Sequence, residues 1–195
     1  MRFIYHAILF SLSACCACAE GPRIAFVLAE REYDTAKTVT SFFESALKPL
    51  GFRATYVTAP GEGDERNDLK GVEKALAEAD LLFVSVRRRA PQVSQMKAIR
   101  KWVQTGKPLV GIRTANHAFH LRGKPAPQGH ALWEEWDGVV LGGNYTGHHG
   151  KSKKTWFQFE STAKGHPILN GLQTVEEVTS GGSLYEVMPL AKTAE

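Results

Sequence analysis

The chain has 195 residues, a formal net charge of +4 and 43% hydrophobic residues. This is the composition of an ordinary globular domain, and it excludes a disordered tail, a collagen-like fibre and a coiled coil. The basic excess, 24 Lys and Arg against 20 Asp and Glu, is too small to indicate a nucleic-acid partner.

The first 19 residues predict a secretory signal peptide, which leaves a mature domain over residues 20–195. Arg2 supplies a basic start, an apolar stretch over 7–10 follows, and Ala17-Cys18-Ala19 has the small-residue pattern of a cleavage site. The apolar stretch is shorter than the roughly 20 residues that a membrane span needs. We therefore expect a secreted or periplasmic protein.

A lipoprotein is the alternative localisation. Leu12-Ser13-Ala14-Cys15 resembles a bacterial lipoprotein box, in which Cys15 would carry a lipid anchor. All three cysteines lie in the first 19 residues, so cleavage after Ala19 would leave a mature domain without a cysteine nucleophile.

The first half of the mature chain alternates predicted strands and helices. Four apolar runs are typical of buried strands and lie at 24–29, 52–59, 81–86 and 108–112. Apolar residues at helical spacing separate them; the first helix has its apolar face from Val39 to Leu50, and Asp34 and Asp68 are predicted N-caps. This alternation predicts an α/β fold in which helices cover both faces of a parallel sheet.

After residue 120 the pattern is less regular. We expect a short helix around 133–140, a glycine-rich loop over 142–150, and strands near 155–159 and 184–188. The last crossover of a doubly wound sheet is not visible in the pattern, which leaves open whether the domain is truncated at its C-terminus.

Candidate binding residues follow the predicted strands, because ligands of open α/β sheets bind beyond the carboxyl ends of the strands. These residues are Glu30, Tyr33, Arg87, Arg88, Arg113, Thr114, Asn116 and His117. Guanidinium groups favour a ligand with anionic or polyhydroxylated groups. The alternative for Arg87-Arg88-Arg89 is a solvated turn.

Histidines are concentrated in one part of the chain. Five of the seven are His117, His120, His130, His148 and His149. Neutral imidazoles serve as general bases and as metal ligands. The spacing matches no tight zinc motif, so we predict pocket histidines and no cofactor. A metal-dependent hydrolase using His117, His130, His148 and His149 is kept as an alternative.

Three motifs together resemble ThuA-like (trehalose-utilisation) proteins. They are Val110-Gly-Ile-Arg-Thr-Ala-Asn-His-Ala-Phe119, Leu141-Gly-Gly-Asn-Tyr-Thr-Gly-His-His149 and Gly165-His-Pro-Ile168. The resemblance covers the chain from about Arg23 to its end. It implies a flavodoxin-like fold related to class I glutamine amidotransferases.

The same resemblance excludes the amidotransferase reaction itself. In those enzymes the turn after a central strand carries a nucleophilic cysteine, and Arg113 stands in that position here. An arginine stays protonated and only donates hydrogen bonds, so it cannot form the thioester.

The function that the resemblance implies is utilisation of trehalose-type disaccharides or keto-disaccharides, with a small carbohydrate as the partner. His117, with His148 or His149, is then the expected general acid/base of a hydrolase or lyase. Arg113 would polarise a substrate oxygen, and Asn144 and Tyr145 would contact the sugar. A non-catalytic carbohydrate-binding module is the alternative from another class.

Overall fold

The computed structural model describes residues 20–150, 155–163, 165–170 and 178–192. The predicted signal peptide and the alternative lipid anchor at Cys15 lie outside these residues. Within the described ranges, no helix is both long enough and apolar enough to cross a membrane.

Four parallel strands form the central sheet and confirm the predicted α/β fold. They are β1 (Arg23–Ala29), β2 (Arg53–Thr58), β3 (Leu81–Val86) and β4 (Leu109–Gly111). Their order is β2-β1-β3-β4, and β1 pairs in parallel with both β2 and β3. The chain thus adds β2 on one side of β1 and then adds β3 and β4 on the other side. The crevice at such a switch point is where open α/β sheets bind ligands.

Helices cover both faces of this sheet. They are α1 (Thr35–Phe42), α2 (Val72–Glu78), α3 (Val93–Gln104) and a short α4 (Trp136–Val140). Because side chains alternate along a strand, Ala25 and Val27 of β1 join the core formed with α2 and α3, whereas Phe26 packs with Val39 and Phe43 on the α1 side.

Helix α1 departs from the predicted periodicity after Phe42. The chain continues through a π-type turn over Phe43–Leu47 and a 3-10 turn over Lys48–Leu50, and ends at Gly51, whose φ is 86°. A π turn holds more residues than an α turn, so the apolar positions fall out of phase. Phe42 and Leu50, predicted on the buried face, are 54% and 72% exposed.

Neither of the two predicted N-cap side chains caps a helix in the structure. The side chain of Asp34 makes no capping hydrogen bond, although α1 begins at the next residue. Helix α2 begins only at Val72, after Gly71. Asp68 instead accepts a 2.5 Å hydrogen bond from the side chain of Gln95 on α3. It therefore links the loop before α2 to α3 and does not cap α2.

Short antiparallel pairs complete the described part of the chain. Strand β5 (Gly147–His148) pairs with β8 (Tyr185–Glu186), and β6 (Thr155–Phe157) pairs with β7 (Val178–Ser180). The predicted 142–150 loop therefore contains a strand, and the two predicted C-terminal strands are shorter than expected. The β5–β8 pair carries Tyr185 toward the carboxyl end of the central sheet.

Candidate functional site

The chain after β4 forms a single 3-10 turn, Arg113–His117, at the carboxyl edge of the sheet. Trp136 of α4 anchors this turn, because its buried indole Nε1 donates a 2.8 Å hydrogen bond to the carbonyl oxygen of Ala115. The turn also pairs with the neighbouring loop, where the Arg88 amide donates to the His117 carbonyl at 3.1 Å. The positions of Arg113 and His117 are thus set by the core.

Four rings from three separate segments form what we call the aromatic cluster: His117, Tyr145, His148 and Tyr185. The His117 ring lies 4.7 Å from Tyr145 and 5.6 Å from Tyr185, measured between ring centroids. His148 lies 5.6 Å from Tyr145 and 4.9 Å from Tyr185. The 113–117 turn and the 144–149 loop, whose motifs the sequence singled out separately, therefore meet at one place.

His117 is the most enclosed member of the cluster. It is 3% exposed, and its Nδ1 has no hydrogen-bond partner among the described residues. Burial, followed by the positive charges of Arg88 and Arg87, lowers the pKa of His117 to about 3. The imidazole is therefore neutral at physiological pH and can accept a proton or donate its N–H.

Arg113 lies on the other side of Tyr185, in a strained backbone conformation with φ of 42°. Its guanidinium carbon is 4.5 Å from the ring centroid of Tyr33 and 4.9 Å from that of Tyr185, so the cation makes a cation–π contact with both rings. Nη1 donates to the carbonyl oxygen of Ser183 at 3.2 Å. A Cβ on Gly182 would lie 2.8 Å from Nη1, so a glycine permits this close approach.

Two hollows open beside Arg113. The larger has a volume of about 390 Å³, within the size range of small-molecule sites. Its polar lining comes from β3 and the start of α1 as well as from the Arg113 turn: Tyr33, Thr35, Thr38, Ser85 and Arg113. The smaller, about 270 Å³, lies on the Tyr185 side and includes Phe157. The larger hollow is at the switch point between β1 and β3.

Glu30, a predicted ligand-binding residue, is engaged in holding the backbone. Its carboxylate accepts hydrogen bonds from the amides of Glu32 at 2.7 Å, Tyr33 at 2.9 Å and Thr35 at 2.9 Å. Burial raises the pKa of Glu30, but the bonds from Thr35, Tyr33 and Glu32 together outweigh it and lower that pKa. Glu30 thus caps α1 and positions Tyr33 over Arg113.

The Arg87-Arg88-Arg89 run is not a solvated turn. Arg87 forms an ion pair with Glu32 at 2.6 Å. Arg88 has a positive φ of 51°, and its Nη1 lies 3.3 Å from Nδ1 of His120. Arg89 is 7% exposed and donates to the carbonyl oxygen of Arg87 at 2.7 Å. All three side chains are buried or half-buried beside the candidate site.

The remaining predicted residues take structural or peripheral positions. Asn116 donates from Nδ2 to the carbonyl oxygen of Gly143 at 2.9 Å and ties the turn to the next loop. Thr114 is fully buried, and its hydroxyl has no hydrogen-bond partner among the described residues. Asn144 is exposed.

The two adjacent histidines lie at the outer edge of the site. His148 is exposed, and its Nδ1 is 2.7 Å from the hydroxyl of Ser183. His149 is also exposed and lies 3.8 Å from Glu186. Of the pair, only His148 belongs to the aromatic cluster.

Tyr185 and Ser183 are the residues that sequence reasoning missed. They belong to Gly181-Gly182-Ser183-Leu184-Tyr185, where a glycine pair before a hydroxyl and an aromatic residue was the available signal. Tyr185 contacts both Arg113 and His117, so it joins the two halves of the site. Burial and a hydrogen bond with Tyr33 raise the pKa of Tyr185, so its phenol is protonated at neutral pH.

Within the residues that the structure describes, no three or more His, Cys, Asp or Glu side chains are grouped so that they could hold a metal ion. His130, one of the four histidines of the metal hypothesis, has its Nδ1 3.0 Å from the carbonyl oxygen of Gln128 in its own loop.

Comparison of the chain with models of known protein families, with curated proteins and with solved structures gave no match.

Proposed function

We propose that this chain is a secreted or periplasmic ThuA-like protein of carbohydrate utilisation, with a flavodoxin-like fold related to class I glutamine amidotransferases. The observation that carries the proposal is the Arg113 guanidinium held between Tyr33 and Tyr185 beside a hydroxyl-lined hollow at the sheet switch point. The ligand is a small sugar of the trehalose or keto-disaccharide type.

Two features of the backbone support the family assignment. The strand order 2-1-3-4 is the first part of the flavodoxin-like order. Arg113 also has a left-handed φ at a sharp turn from strand to helix, the geometry in which related folds present a nucleophile. Here that position presents a fixed cation instead.

The chemistry of the hollow supports a sugar as the ligand. Thr35, Thr38 and Ser85 line the hollow with hydroxyl oxygens, which can accept hydrogen bonds from sugar hydroxyls. The tyrosine rings provide flat apolar faces with a polar edge. Arg113 adds a donor that stays charged at every physiological pH, which suits an oxygen with developing negative charge.

A reaction at this site would use the aromatic cluster. His117 is neutral at pH 7, so in this proposal it acts as a base or as a neutral N–H donor to a carbonyl oxygen, a role known for imidazoles of lowered pKa. Protonation of a leaving group then falls to His148, which is exposed at the edge of the same cluster, or to its neighbour His149. Arg113 holds the oxygen that the reaction polarises.

Calorimetry of the full chain against trehalose, related disaccharides and their keto derivatives tests this function, with product analysis alongside. We expect binding that Arg113→Gln weakens at least about tenfold, because a charged donor to the ligand is lost. Arg100→Gln is the matched control: its guanidinium also stacks on an aromatic ring, Trp133 at 4.1 Å, and bonds one carbonyl, but on α3. No binding of any sugar would refute the proposal.

The second candidate is a carbohydrate-binding module without catalysis. The enclosed His117 favours it, because a base with a pKa of about 3 has little tendency to take a proton at neutral pH. Sugar binding without product would support the module. Product formation that His117→Ala abolishes in a folded variant would support the enzyme.

A further inference from the structure

We infer that the sugar taken by this site is acidic, and that Arg113 binds its carboxylate. This inference rests on the proposed function and adds the charge of the ligand to it. It follows from the way positive and negative side chains are paired around the site.

The cations at the site outnumber the available acids. Among the described residues, no carboxylate lies within 4 Å of the guanidinium of Arg88, Arg89 or Arg113. Of the nearby acids, Glu32 pairs with Arg87 and Glu30 is occupied by three backbone amides.

The next two acids are also engaged. Asp137 is buried and accepts from the Tyr145 amide at 3.1 Å. Glu186 lies beside His149 at the outer edge. The guanidinium groups of Arg88, Arg89 and Arg113 are therefore left without a directly paired carboxylate among the described residues, and the charge of Glu30 acts on Arg89 only from beyond 4 Å.

The same three arginines carry unused buried donors. The Nε atoms of Arg88, Arg89 and Arg113 are each buried without a hydrogen-bond partner among the described residues. Burying a cation without a counter-ion is costly, and such uncompensated charge concentrates at functional sites. In support, burial and then neighbouring arginines lower the pKa of Arg88, and lower that of Arg89 to about 10.

Arg113 is the arginine in position to meet the ligand. It lines both hollows, whereas Arg88 and Arg89 line neither. Its guanidinium contacts the rings of both Tyr33 and Tyr185, which restrict its position and so prepare the donor fork for a planar acceptor. Thr35, Thr38 and Ser85 line the same hollow, where their hydroxyl oxygens can accept hydrogen bonds from a sugar ring.

A carboxylate fits this site better than a phosphate. The backbone amides at the start of α1, a natural phosphate cradle, already bind the Glu30 carboxylate. One guanidinium at the hollow matches a single negative charge in a planar group. The ligand class is therefore a sugar acid, such as a uronic or an aldonic acid.

The test compares each acid with its neutral counterpart on the full chain by calorimetry at low salt: glucuronate and gluconate with glucose, and lactobionate with lactose. We expect each acid to bind at least about tenfold more tightly than its neutral partner. Arg113→Gln should bring the two affinities within about twofold of each other, whereas Arg113→Lys should keep part of the preference because it keeps the charge. Arg100→Gln should leave the preference unchanged.

Equal affinity for acid and neutral sugar would overturn the inference while leaving the carbohydrate function intact. Absence of binding by every sugar, acidic or neutral, would refute the proposed function itself. Equal or tighter binding of glutarate or glucose 6-phosphate would also overturn the inference, since the site would then select a non-sugar acid or a phosphate. A circular dichroism spectrum of each variant shows that lost binding is not lost folding.

Discussion

Replacing Glu30 with alanine tests whether this residue organises the site rather than binds the ligand. The substitution leaves the amides of Glu32, Tyr33 and Thr35 without their acceptor. Loss of an N-cap side chain costs about 0.5–2 kcal/mol, and a charged acceptor serving three donors belongs at the upper end, about 2 kcal/mol. With a urea m-value of about 2 kcal/mol/M, the midpoint should fall by about 1 M.

Urea unfolding followed by circular dichroism measures this shift. Glu62→Ala is the matched control, because Glu62 has a side chain that is 88% exposed and one ion pair, with Arg31. A surface pair of this kind contributes little, so its midpoint should move by less than about 0.3 M. Equal shifts in the two variants would refute the capping role.

The stabilisation by Glu30 should also depend on pH. Its folded-state pKa is lowered below the ordinary value of 4.5. The contribution is therefore complete above pH 4.5 and is lost as the pH falls through the folded-state pKa. The stability difference between wild type and Glu30→Ala should shrink on acidification; a difference that stayed constant down to pH 2.5, about 2 units below the ordinary value, would contradict this reasoning.

Three further predictions concern the 113–117 turn and its surroundings. Trp136→Phe should destabilise the protein by about 2–4 kcal/mol, because it removes the indole hydrogen bond to the Ala115 carbonyl and opens a void, as urea unfolding would show. His117 should titrate near pH 3 by NMR; because its folded pKa lies below 6.5, the stability that it contributes is complete above 6.5 and is lost as pH falls toward 3. Gly143→Ala should cost about 1–3 kcal/mol, since the new Cβ would lie 2.7 Å from the Val187 carbonyl oxygen.

The two substitutions each have a matched control. Trp156 is 59% exposed, so Trp156→Phe should change stability by less than about 0.5 kcal/mol. Gly181→Ala meets no atom within 4 Å and should also be near neutral. A His117 resonance titrating near 6.5, or controls as damaging as the buried variants, would contradict the packing described for the turn.

The sheet could be predicted from the sequence because each of its strands is marked by a local run of apolar residues. The apolar runs of β1 and β3 are buried on both faces, and continuous hydrophobicity with short connections is enough to predict a parallel sheet. The same reasoning placed Arg113 and His117 after the fourth strand, where the structure has them. The finer assignment to a flavodoxin-like ThuA protein stays a prediction.

The site itself depends on contacts that no local pattern encodes. Tyr185 comes from a segment far along the chain from Arg113, and long-range contacts such as the β5–β8 pairing bring the two together. Glu30 is the exception, because the three amides that donate to its carboxylate lie within the next five residues, and its capping role is a local feature that the sequence analysis missed. The buried and exposed positions that follow Phe42 could not be predicted either, because the chain there forms a π turn, which has no simple sequence signature.

The two halves of the site are supported by strand ladders of different length. Arg113 and His117 follow a four-stranded ladder, whereas Tyr185 is held by a ladder only two residues long. Local opening costs least where few backbone bonds must break. Separation of this short ladder, together with the few hydrogen bonds beside it, would remove Tyr185 from its contacts with His117 and Arg113 while the four-stranded sheet stayed paired.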